Sequence, residues 1–117
     1  MKDESISSRI PKLPLLVTES GAKGMTVAEV GFDFAEVHGV PFNASLDSLE
    51  QGCSSLLDSH EAHEIWFIAE GEGELLYNNQ PLRVTAGDVL YFEPCKTHQI
   101  HNDSAKAIVF FSIWWRN

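Results

Sequence analysis

The chain has 117 residues, an apolar content of 44% and a formal charge of −9, which suits one globular domain with one hydrophobic core and excludes a disordered chain. Its eight Lys and Arg are scattered, so nucleic acid and anionic membrane surfaces, which reward clustered bases, are excluded as partners. No apolar run approaches the ~18 residues of a membrane span, and the start MKDESISSRIPKLPLLV makes a poor secretory signal, so a cytoplasmic protein is expected.

Residues 1–14 read as a loose tail and 15–117 as one domain. The stretches 15–19 and 25–37 carry short β-friendly runs around glycines. In 41–49 the alternation Phe42, Ala44, Leu46 predicts a half-buried strand with those residues inward. Residues 45–57 could instead make two helical turns, but Gly52 and the serines weaken that alternative. The segment EIWFIAEG is dense in aromatic and β-branched residues and stops at glycine. Residues 73–84 place Asn78-Asn79 between two apolar runs, a tight hairpin, because asparagine tolerates positive φ. Two further strands follow in 88–94 and 106–115, with a turn at 101–104. Many short strands with Gly and Asn turns predict an all-β sandwich or barrel. Cys53 and Cys95 form no C-x-x-C pair, so two buried free thiols are expected.

The stretch DSHEAHEIWFIAEG, 58–71, is where chemistry concentrates. If 58–68 is extended, Asp58, His60, Glu64, Trp66 and Ile68 share one face, and His63 turns to the other. Two carboxylates and an imidazole then converge over an apolar floor, and His98 is available as a fourth donor. Oxygen and nitrogen donors suit Fe, Mn, Ni, Co or Zn, with no thiolate to favour a structural zinc. His101 reads as a surface or interface residue, His38 has no partner pattern, and Cys95 reads as a small buried hydrophobe, while Trp66 and Tyr91 are candidates to line a pocket. Trp114 and Trp115 are expected on opposite faces of the last strand.

These residues stand in two spaced motifs. Gly52, Asp58, His60, Glu64 and Gly71 form G-x5-D-x-H-x3-E-x6-G over 52–71. This resembles the first motif of the cupins, G-x5-H-x-H-x3-E-x6-G. Gly87, Pro94, His98 and Asn102, over 87–102, resemble the second motif. The resemblance implies a double-stranded β-helix, the jelly-roll barrel, holding one divalent transition metal. Carried over by position, His60, Glu64 and His98 are ligands, and Asp58 stands where the family usually has a histidine. Cys95 stands where the family usually has glycine, which suggests a loop without need of positive φ.

Asp58 changes the expected chemistry. Three neutral histidines and one glutamate leave a divalent ion with roughly one positive charge, while two histidines and two carboxylates leave about zero. The extra carboxylate is a hard donor that favours iron or manganese over copper. If Asp58 stays off the metal, His60, His98 and Glu64 form a two-histidine, one-carboxylate triad with open positions, the pattern of non-haem iron oxygenases.

The expectation is a metal-dependent enzyme on a small molecule, with oxygenase chemistry ahead of a lyase or isomerase in which Asp58 or Glu64 moves a proton. The alternatives are a metal-free, epimerase-like protein using Asp58 and His60 as an acid–base pair, and a non-catalytic binding or sensing module. Strands at both chain ends would pair with a second subunit, so a homodimer is expected.

Overall fold

The computed structural model describes residues 11–117. Most of the expected 1–14 tail therefore lies outside the described residues, and Pro14, at its end, accepts a backbone hydrogen bond from Gly31. Nine strands follow in order: β1 Leu15–Thr18, β2 Met25–Val30, β3 Asn43–Leu49, β4 His63–Glu70, β5 Glu72–Tyr77, β6 Gln80–Thr85, β7 Val89–Phe92, β8 His98–His101 and β9 Ile108–Trp115. All pairings are antiparallel, in one six-stranded sheet, β1-β2-β3-β9-β4-β7, and one three-stranded sheet, β6-β5-β8. This is the expected all-β jelly roll. No helix of the described residues is long and apolar enough to cross a membrane.

The β5–β6 turn has Asn78 at φ 49° and Asn79 at φ 66°, the twin positive values that a two-residue hairpin requires. Residues 25–37 do not stay extended: β2 ends at Val30 and a single 3-10 turn, Asp33–Ala35, follows. The helical alternative over 45–57 does not form; β3 runs to Leu49 and turns at Gly52, φ 76°.

Between the sheets lie Leu49, Trp66, Ile68, Leu75, Val84, Phe92, Ile100, Ile108 and Phe110, the apolar core. Register across the large sheet shows how that core gives way to a polar end. Val27, Asp47, Phe110 and Ile68 form one cross-strand row. The next row is Glu29, Ser45, Ser112 and Trp66, and the row beyond it joins Asn43, Trp114, Glu64 and Phe92. Polar residues thus accumulate on the inner face along β3 and β9, at one end of the barrel.

This arrangement reverses the expected parity of β3. Ser45, Asp47 and Leu49 are buried, whereas Ala44 and Leu46 are only partly covered and Phe42 is exposed. The inner face of β3 lines a cavity, so its inward residues need not be the apolar ones. Two smaller corrections concern cysteine. Cys95 is exposed and Cys53 only partly buried, and both are free. Cys95 also adopts φ 66°, so the loop does keep the left-handed conformation that glycine would take most easily.

Candidate metal centre

Glu64 lies at the middle of the polar end, on β4, and its two oxygens have different tasks. Oε2 accepts hydrogen bonds from the Trp66 indole at 2.8 Å and from the Ser112 hydroxyl. Oε1 faces His60 Nε2 at 2.9 Å and His98 Nε2 at 3.3 Å. Burial pushes the Glu64 carboxyl upward, but hydrogen bonds from His98, Ser112 and Trp66, with the charge of His98, outweigh it and hold Glu64 at about 2.

His60 reaches the site from a bend, not from a strand, since β4 begins only at His63. The expected continuous extension of 58–68 therefore fails before His63, yet Asp58 and His60 still arrive beside Glu64. An isolated bridge brings them there: Asp58 N–H donates to His98 O at 3.0 Å and His98 N–H to Asp58 O at 2.9 Å. Cys95 N–H donates to His60 O at 2.6 Å, so the left-handed turn at Cys95 secures the same bend. His98 is held flat against Phe92, with ring centroids 4.5 Å apart, and edge-on to Trp66.

The donor set fits a divalent metal. His60 Nδ1 donates to Ala62 O at 3.0 Å, which fixes the tautomer and leaves the Nε2 lone pair toward Glu64 and His98. His98 Nδ1 is buried without a hydrogen-bond partner, so the ring's polar engagement is all at Nε2. One ligand atom each from Asp58, His60 and His98 lies within 4.8 Å of the others. Asp58 differs from the other two in being exposed, and its Oδ1 accepts the Ser59 N–H at 2.8 Å. His60 Nε2 lies 2.9 Å from Glu64 Oε1, and a ligand atom of Asp58 lies within 4.8 Å of one of His60.

A cavity of about 420 Å³ opens beside these residues, lined by β2, β3 and β9 as well as by the 55–60 bend. Its unforeseen member is Asp47, only 6% exposed, with Oδ1 lacking any hydrogen-bond partner. Burial raises its carboxyl to about 6; the Ser45 hydroxyl opposes this, and the charges of Glu64 and Glu29 add to it. Ser45 and Leu49 share its inward face, but polar residues at that spacing read equally as a solvent-facing side, so the sequence carried no specific signal for Asp47.

The remaining singled-out residues fall outside the centre. His63 points away, stacked between Tyr91 and Trp115, with Nδ1 2.6 Å from the Tyr91 hydroxyl. Tyr91 is therefore on the outer face and lines no part of this cavity, whereas Trp66 and Trp114 do. Trp114 and Trp115 take opposite faces as expected. His101 bonds Ser54 at 2.7 Å on the surface, and His38 lies beside Asp33.

Comparison with known proteins gives the same fold. The cupin domain model matches residues 45–114. An uncharacterised protein of Methanocaldococcus jannaschii is 36% identical over 52 residues, 44% of this chain and 42% of that protein; the match thus spans less than half of the relative's length. A predicted oxalate decarboxylase of Thermotoga maritima superposes with TM-score 0.74 at 21% identity, covering 96% of this chain and all of that one (100%). The polyketide cyclase RemF of Streptomyces resistomycificus gives TM-score 0.72 at 16% identity, over 96% of this chain and 79% of that one. At these identities the structures establish the shared fold alone. The match of the domain model over more than half of the chain, with both motifs inside the barrel, makes this protein a member of the cupin family.

Proposed function

We propose that this protein is a metal-dependent enzyme acting on a small organic molecule, with an oxygenase as the leading reading. One observation carries it: His60 Nε2 and His98 Nε2 converge on buried Glu64 Oε1, with the exposed Asp58 close to both imidazoles. Two histidines and one carboxylate with open positions are the pattern of non-haem Fe(II) oxygenases. A redox-active divalent metal, when bound, supplies the one-electron chemistry that reaction with dioxygen needs.

The chain's own residues do the rest. Trp66 and Ser112 anchor one Glu64 oxygen, which leaves the other oriented for the metal. Phe92 and Trp66 pack the His98 ring and keep water from its buried side. The cavity beside the ligands receives the organic substrate. A lyase or isomerase is the second reading, favoured by Asp58, whose exposed carboxylate beside both imidazoles is placed to move a proton.

Plasma mass spectrometry of the purified protein and of Asp58→Ala and His98→Ala tests both readings. Metal lost with His98→Ala but kept with Asp58→Ala, together with oxygen uptake in a substrate screen, supports the oxygenase. Loss in both variants, with zinc or nickel in the wild type, favours the lyase or isomerase. Wild-type protein that stays metal-free after reconstitution overturns both.

We further propose that the working form is a homodimer. β9 lies between β3 and β4, so it offers no edge, and among the described strands of the large sheet β1 and β7 form the ends. The stronger support is the outer face of that sheet. Val89, Phe67, Phe111 and Leu46 form one cross-strand row there, and Tyr91, Ile65, Ile113 and Ala44 the next. An apolar face of this extent is the kind that a second copy covers by self-complementary packing.

A further inference from the structure

We propose that the cavity selects a substrate carrying a protonated amine, with Asp47 as the residue that binds the ammonium group. The inference rests on the reading of this cavity as the substrate site. It deepens that reading by naming the chemical class of the substrate.

The lining charge is one-sided. Glu19, Glu29, Asp47, Asp58 and Glu64 all contribute to the cavity wall, and among the described residues no Lys or Arg does. A divalent ion at the ligands would offset only part of that negative charge, and Asp47 and Glu29 are not among the candidate ligands. An anionic substrate would meet repulsion, with no Lys or Arg among the described lining residues to receive it.

Asp47 gives this acidic wall a specific contact. The residue is more than nine-tenths buried, it lines the cavity, and its Oδ1 has no partner. A carboxylate oxygen left unpaired at such a depth is destabilising until a donor reaches it. An ammonium group supplies donor and charge together, the stronger form of hydrogen bond.

Three probes of equal chain length separate the possibilities: n-butylammonium, n-butanol and butyrate, titrated onto the full chain at neutral pH and followed by ligand-detected NMR. The expected order is butylammonium over butanol by about ten-fold, with butyrate weakest. Asp47→Asn brings butylammonium to the level of butanol, while Glu74→Gln, an exposed carboxylate on β5, leaves the order unchanged. Equal affinities, absence of binding, a preference for butyrate, or equal effects of the two substitutions would overturn the proposal. The three-probe comparison on wild-type protein stands even if a variant folds poorly. Metal content is measured on the same preparations. A cation preference in protein that takes up no metal would remove the enzyme reading and keep the amine site. Stoichiometric metal without that preference would do the reverse.

Discussion

Asp47 is held where its charge is least welcome, and the cost has a definite pH dependence. Its carboxyl is raised from 3.8 to about 6, so the native state holds the proton more tightly than the unfolded chain. Such a group favours folding below pH 3.8, and that contribution is lost as pH rises through about 6. In chelator-treated protein, Asp47→Asn is therefore expected to raise stability by about 1–3 kcal/mol at pH 8 and to change it little at pH 4. Urea denaturation at the two pH values checks this; a difference that does not change with pH would refute it. Glu64 has the opposite character, with its folded value depressed to about 2 and its contribution intact above 4.5. Glu64→Gln should keep the fold, because an amide oxygen can still accept from Trp66 and Ser112. Metal affinity should fall by at least about 100-fold, read by competition with a chromogenic chelator. His60, Glu64 and His98 were legible in the sequence because motif spacing alone carries them. Asp47 was not, because its role comes from the rows it joins across the sheet, and no spacing within β3 records its neighbours on β2 and β9.

The strands were legible wherever side-chain type and turn chemistry agreed, as in β4 and in the β5–β6 hairpin. They were misread where the inner face is polar. Ser45 and Asp47 look like solvent-facing residues, so the alternation of β3 was assigned to the wrong side. The sequence HEAHE marks 60–64 as a place where a strand bends, but the shape of that bend depends on the bridge to β8 and on the turn at Cys95, both distant in sequence. That turn carries a testable strain. Cys95 sits at φ 66°, where a side chain with a Cβ costs roughly 1–2 kcal/mol relative to right-handed backbone. Cys95→Gly relieves this strain against some added freedom in the unfolded chain, so a net gain of about 0.5–1 kcal/mol is expected. A β-branched Cys95→Val should lower the melting temperature. Unchanged or reversed melting temperatures for the pair would show that the loop relaxes freely.

At the scale of the whole molecule, the two faces of the six-stranded sheet divide the work. The inner face grades from apolar core to ligand cluster, and the outer face stays apolar over several strands. Light scattering is expected to give a dimer at micromolar concentration, and Phe111→Lys, at the middle of the outer face, should give a folded monomer. A wild-type monomer would sink the homodimer. The bond between the Trp66 indole and Glu64 has one more consequence. It ties a chromophore to the carboxylate that faces both imidazoles, while Trp115 lies on the opposite side of the sheet, stacked on His63. Intrinsic fluorescence should therefore report occupancy of the centre without any label, through quenching by an open-shell ion, and the molecule's own light gives a readout of its loading.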